Sequence, residues 1–198
     1  MGEVKIGGPL DRRAAVAGLL KDRGDLLVVT GLGSASYDVM AAGDHDSNYY
    51  LWAAMGSAAM TGLGLATARP DRPVCVVTGD GEMLMGFGSL ATIALKAPKN
   101  LTICVLDNGH FGETGMQVSH AGRGISLDAV AKTCGFSWTG EIDTMAGVED
   151  LRTRIHARDG LKLATVKIRA EHPPRVLPPR DGVYVKNRFR SALGLAPI

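Results

Sequence analysis

Two short polar motifs follow apolar runs and carry the residues best suited to chemistry. Gly-Asp-Gly at residues 79–81 follows the run PVCVVT, and Asp-Asn-Gly at residues 107–109 follows the run LTICVL. The 25 residues between the motifs allow one helical crossover, which would place both turns at the carboxyl edge of a parallel sheet. The Asp80 carboxylate and the Asn108 amide oxygen are hard ligands of the kind that Mg²⁺ takes.

The glycines that flank these residues suit a diphosphate, because they let the backbone approach it closely and a following helix points its N-terminal amides at it. Each motif alone is also a common turn, since Asp-Gly and Asn-Gly are frequent turn dipeptides. Their joint position at two strand ends favours one site for Mg²⁺ and a diphosphate over two unrelated turns.

Strand-like apolar runs alternate with helix-like patterns along most of the chain. The predicted strands lie at 26–30, 73–78, 101–106, 136–139 and 162–169, and the predicted helices at 10–21, 56–68, 83–97, 126–134 and 145–157. This alternation predicts an α/β fold with a doubly wound, mostly parallel sheet and helices on both faces. Ligands of such sheets bind beyond the carboxyl ends of the strands, so the loops at 31–36, 79–82 and 107–124 should line the site.

The length of 198 residues predicts one domain, which we place at residues 1–170, and a tail at residues 171–198. The tail holds five of the nine prolines and should pack on the domain or on a partner. Its basic residues are expected to be solvated: Arg175, Arg180, Lys186, Arg188 and Arg190. A net charge of +2 argues against a nucleic-acid partner.

The cysteines and apolar runs indicate the setting of the protein. Cys75, Cys104 and Cys134 show neither disulfide nor zinc spacing, and the first two lie in apolar strands, which fits buried thiols in a reducing cytoplasm. No apolar run approaches the roughly 18 residues of a membrane span. The N-terminal residues MGEVKIGG lack an apolar signal segment, so we expect a cytoplasmic protein with no membrane partner.

The two motifs resemble those of a known family. Gly-Asp-Gly, 25 residues and then Asp-Asn is similar to the metal–diphosphate motif of thiamine-diphosphate enzymes, where the second element is often a pair of asparagines. The stretch from about residue 25 to residue 167 resembles the pyrophosphate-binding (PP) domain of the decarboxylase group. The segments GSLATIALKAPKNLTICVLDNG and ETGMQ are most similar to phosphonopyruvate decarboxylase and the sulfopyruvate decarboxylase β subunit. The resemblance implies thiamine diphosphate and Mg²⁺ as cofactors and a small anionic 2-oxo acid as substrate.

The resemblance also implies roles for individual positions. Asp80 and Asn108 would be side-chain ligands of Mg²⁺, and the backbone carbonyl of His110 would be the third protein ligand. Met55 would lie under the thiazolium ring and hold the cofactor bent, unless it is only a core methionine. The carbonyl of Ala53 and the amide of Met55 would meet the aminopyrimidine.

The expected cofactor-binding residues are Gly31, Ser34, Ser36, Ala53, Met55, Gly79, Asp80, Gly81, Glu82, Asn108, His110, Phe111, Gly112 and Glu113, and the expected catalytic residues are Met55, His110 and Glu113. The hydroxyls of Ser34 and Ser36 would donate to the diphosphate, or would serve in a turn or a helix cap. Glu82 departs from the family pattern, which often has a small or hydroxyl residue at that position. We expect Glu82 to point to solvent at a helix N-terminus, where its charge is favourable.

The segment 109–124 is too long for an ordinary connection and should cover the site. Its polar residues are candidates for holding an anionic substrate: His110, Glu113, Thr114, Gln117, His120 and Arg123. The individual roles of His120 and Arg123 stay open, because a loop histidine is often only solvated. His45 lies on an approach loop between aspartates, which would favour its charged form, or it is a plain surface residue.

The family uses one catalytic group that we do not recognise in this sequence. The glutamate that activates the cofactor belongs, in the family, to a separate pyrimidine-binding (PYR) domain, and no such domain is recognisable here. The resemblance therefore implies an α-type partner subunit that supplies this glutamate. Three alternatives stay open: a regulatory or scaffolding subunit that binds the cofactor, a carboligase, and a nucleotide-binding α/β domain of another kind. The loop GLGSAS matches the pattern GxGxxG of the last only in its first two glycines.

Overall fold

The computed structural model describes residues 7–198, so the first residues of the chain, on which the prediction about a signal segment depends, lie outside it. The strands are β1 (Leu27–Thr30), β2 (Asn48–Tyr50), β3 (Val74–Gly79), β4 (Leu101–Asp107), β5 (His110–Phe111), β6 (Gln117–Val118), β7 (Trp138–Ile142) and β8 (Lys162–Lys167). The α-helices are α1 (Arg12–Leu20), α2 (Ser34–Ala41), α3 (Ala58–Ala68), α4 (Asp80–Met85), α5 (Ser89–Lys96), α6 (Leu127–Cys134), α7 (Met145–Ala157) and α8 (Gly182–Ala192). Within the described range, no helix has the length and hydropathy that a membrane crossing requires.

Six strands form one parallel sheet in the order β2-β1-β3-β4-β8-β7, and β5 pairs with β6 as a separate antiparallel ribbon. Helices α1, α2 and α7 contribute to the core on one face of the sheet, and α3, α5 and α6 contribute to the core on the other. The predicted doubly wound α/β fold is confirmed. The chain runs outward from β1 to β2 and returns to β3, so the strand order reverses between β1 and β3, where such folds bind ligands.

The alternation of side chains explains why the central strands are apolar throughout. In β3, Cys75 and Val77 face the helices α1 and α2, whereas Val74 and Val76 face α3. Residues of β4 alternate in the same way, and Cys104 is buried like Cys75. A strand covered on both faces has no polar side, which produces the continuous apolar run.

The helix predicted over residues 83–97 is wrong, because the chain forms two helices there. α4 ends before Gly86, and α5 begins after Gly88. A Cβ atom at Gly86 would overlap the backbone of Gly56, so the chain passes directly against the loop that precedes α3. The close approach requires glycine and separates α4, which begins at Asp80, from the longer α5.

Two elements, the helix α2 and the edge strand β2, were not predicted from the sequence. α2 presents a mixed polar and apolar sequence, and β2 has only three residues, of which Asn48 is polar. Tertiary contacts hold β2 in place, including a hydrogen bond of 2.7 Å from Arg23 Nη1 to Asn48 Oδ1. On the opposite side of the sheet, β7 begins at Trp138, two residues later than predicted.

Residues 171–198 contain the helix α8, which packs on β2. The ring of Phe189 meets Tyr49 edge to face at 5.3 Å, and Arg188 Nη1 lies 2.6 Å from Asp44 Oδ2. The expectation of a solvated basic run is therefore wrong for Arg188, whose side chain is only 9% exposed. The segment before α8 is also attached, since Trp52 Nε1 donates to the Pro179 carbonyl at 2.8 Å.

Gly62 and Gly64 of α3 give a matched test of how tightly this helix packs on the sheet. A Cβ atom at Gly62 would overlap the side chain of Val76, whereas nothing lies within 4 Å of a Cβ atom at Gly64. We expect Gly62→Ala to lower the free energy of unfolding by about 1–3 kcal/mol through overpacking. Gly64→Ala should raise it by up to about 1 kcal/mol, because alanine is the better helix former. Urea denaturation of both variants measures the difference, and equal stabilities would contradict this packing of α3.

Candidate functional site

The two sequence motifs meet at the carboxyl edge of the sheet. β3 and β4 pair in a register that sets Gly79 opposite Leu106. Asp80, the first residue of α4, therefore lies beside the end of β4, where Asn108 follows. Asp80 is 2% exposed and Asn108 is also buried. The strand pairing brings the two oxygen-bearing side chains to one edge, as the spacing predicts.

Asp80 has a neutral hydrogen-bond donor but no basic partner in the described part of the chain. The hydroxyl of Ser119 donates to Asp80 Oδ2, and Ser119 Oγ accepts from the Gly122 amide at 3.3 Å. Burial raises the pKa of Asp80 to about 6; the bond from Ser119 opposes the rise and the charge of Asp107 adds to it. A desolvated carboxylate of this kind is stabilised by a metal ion or a proton. Ser119 carried no signal in the sequence, because its role depends on the fold of the covering segment.

Asp107 has a different role, although it is adjacent to Asn108 in the same motif. Asp107 Oδ1 accepts from the Gly109 amide at 2.8 Å, and Oδ2 forms an ion pair of 2.6 Å with Lys167 Nζ on the neighbouring β8. Asn108 Oδ1 lies within 3.0 Å of the His110 amide, which donates to it. Asp107 is thus satisfied inside the fold and shapes the turn that presents Asn108.

A cleft opens beside Asp80 and Asn108 at the strand ends. Its lining residues are Arg12, Leu32, Ser34, Ala35, Met55, Gly79, Asp80, Gly81, Glu82, Leu106, Asn108, His110, Phe111, Gly112, Glu113 and Thr114. All the expected cofactor-binding residues lie in this lining except Gly31, Ser36 and Ala53. Arg12 was not predicted, since it begins a helix far from the motifs in sequence.

Ser36 is not available to a diphosphate, which corrects its prediction as a hydroxyl donor to that group. Its buried hydroxyl donates to the carbonyl of Gly31 at 2.7 Å and lies 2.6 Å from Thr30 Oγ1. The alternative turn role therefore holds for Ser36. Ser34 differs, because it lines the cleft and donates to Glu113 Oε1 at 3.0 Å.

The prediction that Glu82 points to solvent is wrong, because this side chain is buried. Its Oε1 accepts from the amides of Gly56 at 3.0 Å and Ala58 at 3.2 Å, and its Oε2 accepts from Thr78 Oγ1. Burial raises the pKa of Glu82, and backbone hydrogen bonds from residues 56–58 oppose the rise. The carboxylate satisfies amides at the start of α3 and ties that loop to α4.

Met55 lies in the loop that Glu82 holds. Its side chain is 44% exposed and lines the cleft, so the alternative of a core methionine does not apply. The neighbouring Ala53 has a φ of +56°, a left-handed conformation that is uncommon outside glycine. A fixed loop therefore presents an apolar side chain to the cleft.

The segment 109–124 covers the cleft with its first half only. The ring of Phe111 packs against Gly81, and His120 meets Phe111 edge to face at 6.0 Å. His110 Nδ1 lies 2.8 Å from the Asn108 carbonyl oxygen. Gln117, His120 and Arg123 are absent from the residues that line the cleft.

His45 lies outside the cleft lining, and its predicted bias towards the charged form is wrong. Burial and the nearby charge of Arg23 lower the pKa of His45, although Asp46 and Asp44 oppose them. Its Nδ1 accepts from the Ser47 amide at 3.0 Å, which stabilises the approach to β2.

Glu82→Ala and Glu82→Gln test the buried role of this carboxylate. Alanine leaves the amides of Gly56 and Ala58 unsatisfied, so we expect the free energy of unfolding to fall by about 2–4 kcal/mol. Glutamine keeps one oxygen for the two amides and can donate to Thr78. The free energy of unfolding of this variant should therefore fall by less than about 1.5 kcal/mol. Urea denaturation gives both values, and an alanine variant as stable as the wild type would favour a solvated Glu82.

Comparison with known proteins agrees with this geometry. The family described as "Thiamine pyrophosphate enzyme, C-terminal TPP binding domain" matches residues 32–166. Sulfopyruvate decarboxylase of Methanosarcina acetivorans is 33% identical over 92% of this chain and 47% of its own length. Phosphonopyruvate decarboxylase of Streptomyces viridochromogenes is 38% identical over 87% of this chain and 43% of its own length. The chain spans about half the length of these relatives.

A shorter relative matches along nearly its whole length. Sulfopyruvate decarboxylase subunit beta of Methanococcus maripaludis is 32% identical over 85% of this chain and 90% of its own. Among solved structures, benzoylformate decarboxylase of Polynucleobacter necessarius shares the fold with a TM-score of 0.70 at 18% identity, over 84% of this chain and 34% of its own. The chain therefore belongs to the thiamine pyrophosphate enzyme family, as a C-terminal TPP-binding domain of the decarboxylase group.

Proposed function

We propose that this chain is the thiamine diphosphate- and Mg²⁺-binding, β-type subunit of a 2-oxo acid decarboxylase, completed by a partner chain that carries the PYR domain. The observation that carries the proposal is the buried pair Asp80 and Asn108, which meets at one edge of the sheet inside a cleft. The family match to a TPP-binding domain supports the cofactor, and the decarboxylase relatives support the reaction class.

The donor set of the cleft fits a hydrated Mg²⁺ ion bound to a diphosphate. Asp80 offers a carboxylate oxygen that no basic side chain of the described residues neutralises, and Asn108 offers an amide oxygen. The backbone carbonyl of His110 would be the third ligand. Few hard oxygen ligands, shared with phosphate, are typical of protein Mg²⁺ sites. The first turn of α4 and the glycines around Asp80 would accept the diphosphate itself.

The bound cofactor would supply a nucleophilic carbon and an electron sink for the loss of carbon dioxide. The residues of this chain would position the cofactor and shield the cleft from solvent. Met55 would support the ring system from its fixed loop, and Phe111 closes the cleft against Gly81. Glu82 would act indirectly, because it binds the loop that carries Met55 and does not contact the reacting atoms.

A partner chain would supply the activating glutamate. The two glutamates that line the cleft are engaged: Glu82 with the amides of α3, and Glu113 with Ser34 and Arg175. The β-subunit name of one relative supports a two-chain enzyme. The substrate would be a small anionic 2-oxo acid, with sulfopyruvate and phosphonopyruvate as the first candidates.

Asp80→Asn tests the proposed metal site. The variant keeps the shape of the side chain but removes its charge, so Mg²⁺-dependent binding of thiamine diphosphate should weaken by roughly tenfold or more. Asp25→Asn is the control, because this exposed aspartate precedes β1 at the opposite edge of the sheet. Calorimetry with and without Mg²⁺ measures the affinity for thiamine diphosphate. It is carried out on this chain alone and on a mixture of this chain with its α-type partner subunit.

Activity is measured in the same two-chain mixture, as carbon dioxide released from 3-sulfopyruvate and phosphonopyruvate. We expect turnover that needs both chains, thiamine diphosphate and Mg²⁺. Unchanged cofactor affinity in Asp80→Asn would refute the metal site. Tight cofactor binding with no carbon dioxide from any 2-oxo acid would instead favour a regulatory or scaffolding subunit.

A further inference from the structure

A second pocket adjoins the cleft beside Asp80 and Asn108, which we call the cofactor cleft. This second pocket is rich in basic side chains. It is lined by Arg12, Arg13, Tyr37, Glu113, His172 and Arg175, among others, and we call it the arginine pocket. Arg12, Ser34 and Glu113 line both this pocket and the cofactor cleft, so the two spaces share a wall. Three guanidinium groups face two carboxylates here, those of Asp38 and Glu113, which leaves positive charge in excess.

Arg12 is the central basic group of the arginine pocket. Its side chain is only 7% exposed, and its Nε donates to Asp38 Oδ2 at 2.7 Å. Among the described residues, its two Nη groups have no hydrogen-bond partner. A buried guanidinium with free donors is suited to a bidentate anion such as sulfonate, phosphonate or carboxylate.

The C-terminal segment before α8 builds the outer wall. Arg13 Nη2 donates to the carbonyl of Pro174, and Arg13 Nε lies 3.3 Å from Asp38 Oδ1. Arg175 forms an ion pair of 3.1 Å with Glu113 Oε2 and lies 5.8 Å from the ring centroid of Tyr37. These contacts join residues that are far apart in sequence into one concave surface next to the cleft.

We infer that the arginine pocket binds the second anionic group of the substrate, so that the enzyme selects 2-oxo acids carrying a further sulfonate, phosphonate or carboxylate. The inference rests on the proposed function and names the specificity-determining residues of the same site. Arg12 supplies donors that need no rearrangement. Arg175 donates to the anion after the anion displaces Glu113, because the anion and the Glu113 carboxylate compete for the guanidinium of Arg175.

Paired substrates test this selection in the two-chain enzyme. The ratio of kcat/KM for 3-sulfopyruvate to that for pyruvate should fall by roughly tenfold or more in Arg12→Lys and in Arg175→Gln, the worth of one charged hydrogen bond. Lysine keeps a positive charge near Asp38 but loses the planar fork of donors. Arg180→Gln is the matched control, because this exposed arginine lies on the same segment and lines neither pocket.

A binding measurement separates the pocket from the reaction. Calorimetry with 3-sulfopropanoate and with propanoate, neither of which can be decarboxylated by the cofactor, should show a preference for the dianion in the wild type and Arg180→Gln. The preference should fall by roughly tenfold or more in Arg12→Lys and Arg175→Gln. This outcome supports the pocket even where no 2-oxo acid is turned over, in which case only the proposed function fails.

Two results would overturn the inference. One is an unchanged dianion preference in both folded variants. The other is a loss of thiamine diphosphate affinity that lowers kcat/KM equally for 3-sulfopyruvate and pyruvate, since the arginines would then serve the diphosphate of the cofactor.

Discussion

The site depends on the burial of the Asp80 carboxylate at the carboxyl edge of a parallel sheet. Desolvation raises its pKa to about 6, and no basic side chain of the described residues compensates for it. A buried carboxylate without a basic partner is energetically unfavourable in its charged form unless it binds a cation or a proton. The strand pairing that sets Gly79 beside Leu106 fixes this position, so the sheet register also determines where the proposed metal ligand lies.

The other acidic residues around Asp80 support it by being satisfied elsewhere. Asp107 forms an ion pair with Lys167 and shapes the turn of Asn108. Glu82 accepts from the amides of Gly56 and Ala58 and so fixes the loop of Met55. Because these two carboxylates are occupied within the fold, neither competes with Asp80 for a ligand.

The sequence predicts those parts of the structure that depend on local patterns. Buried parallel strands are apolar throughout, so the strands could be predicted. The turns after β3 and β4 are formed by consecutive residues with typical turn sequences, so the positions of Asp80 and Asn108 at the sheet edge could be predicted as well. Glu82 could not, because its partners lie 24 and 26 residues away and appear only when α3 packs beside α4. The same holds for α8, whose docking depends on Phe189 meeting the edge strand β2.

The pair of Arg12 and Asp38 shows how a structural cost can indicate a binding role. A buried ion pair is weak evidence for stability, because desolvation of both charges offsets their attraction. This pair also leaves two Nη groups of Arg12 unbonded among the described residues, at the wall between the cofactor cleft and the arginine pocket. Packing alone would be served as well by apolar residues, whereas a guanidinium held rigidly by Asp38 with donors to spare is what recognition of an anion requires.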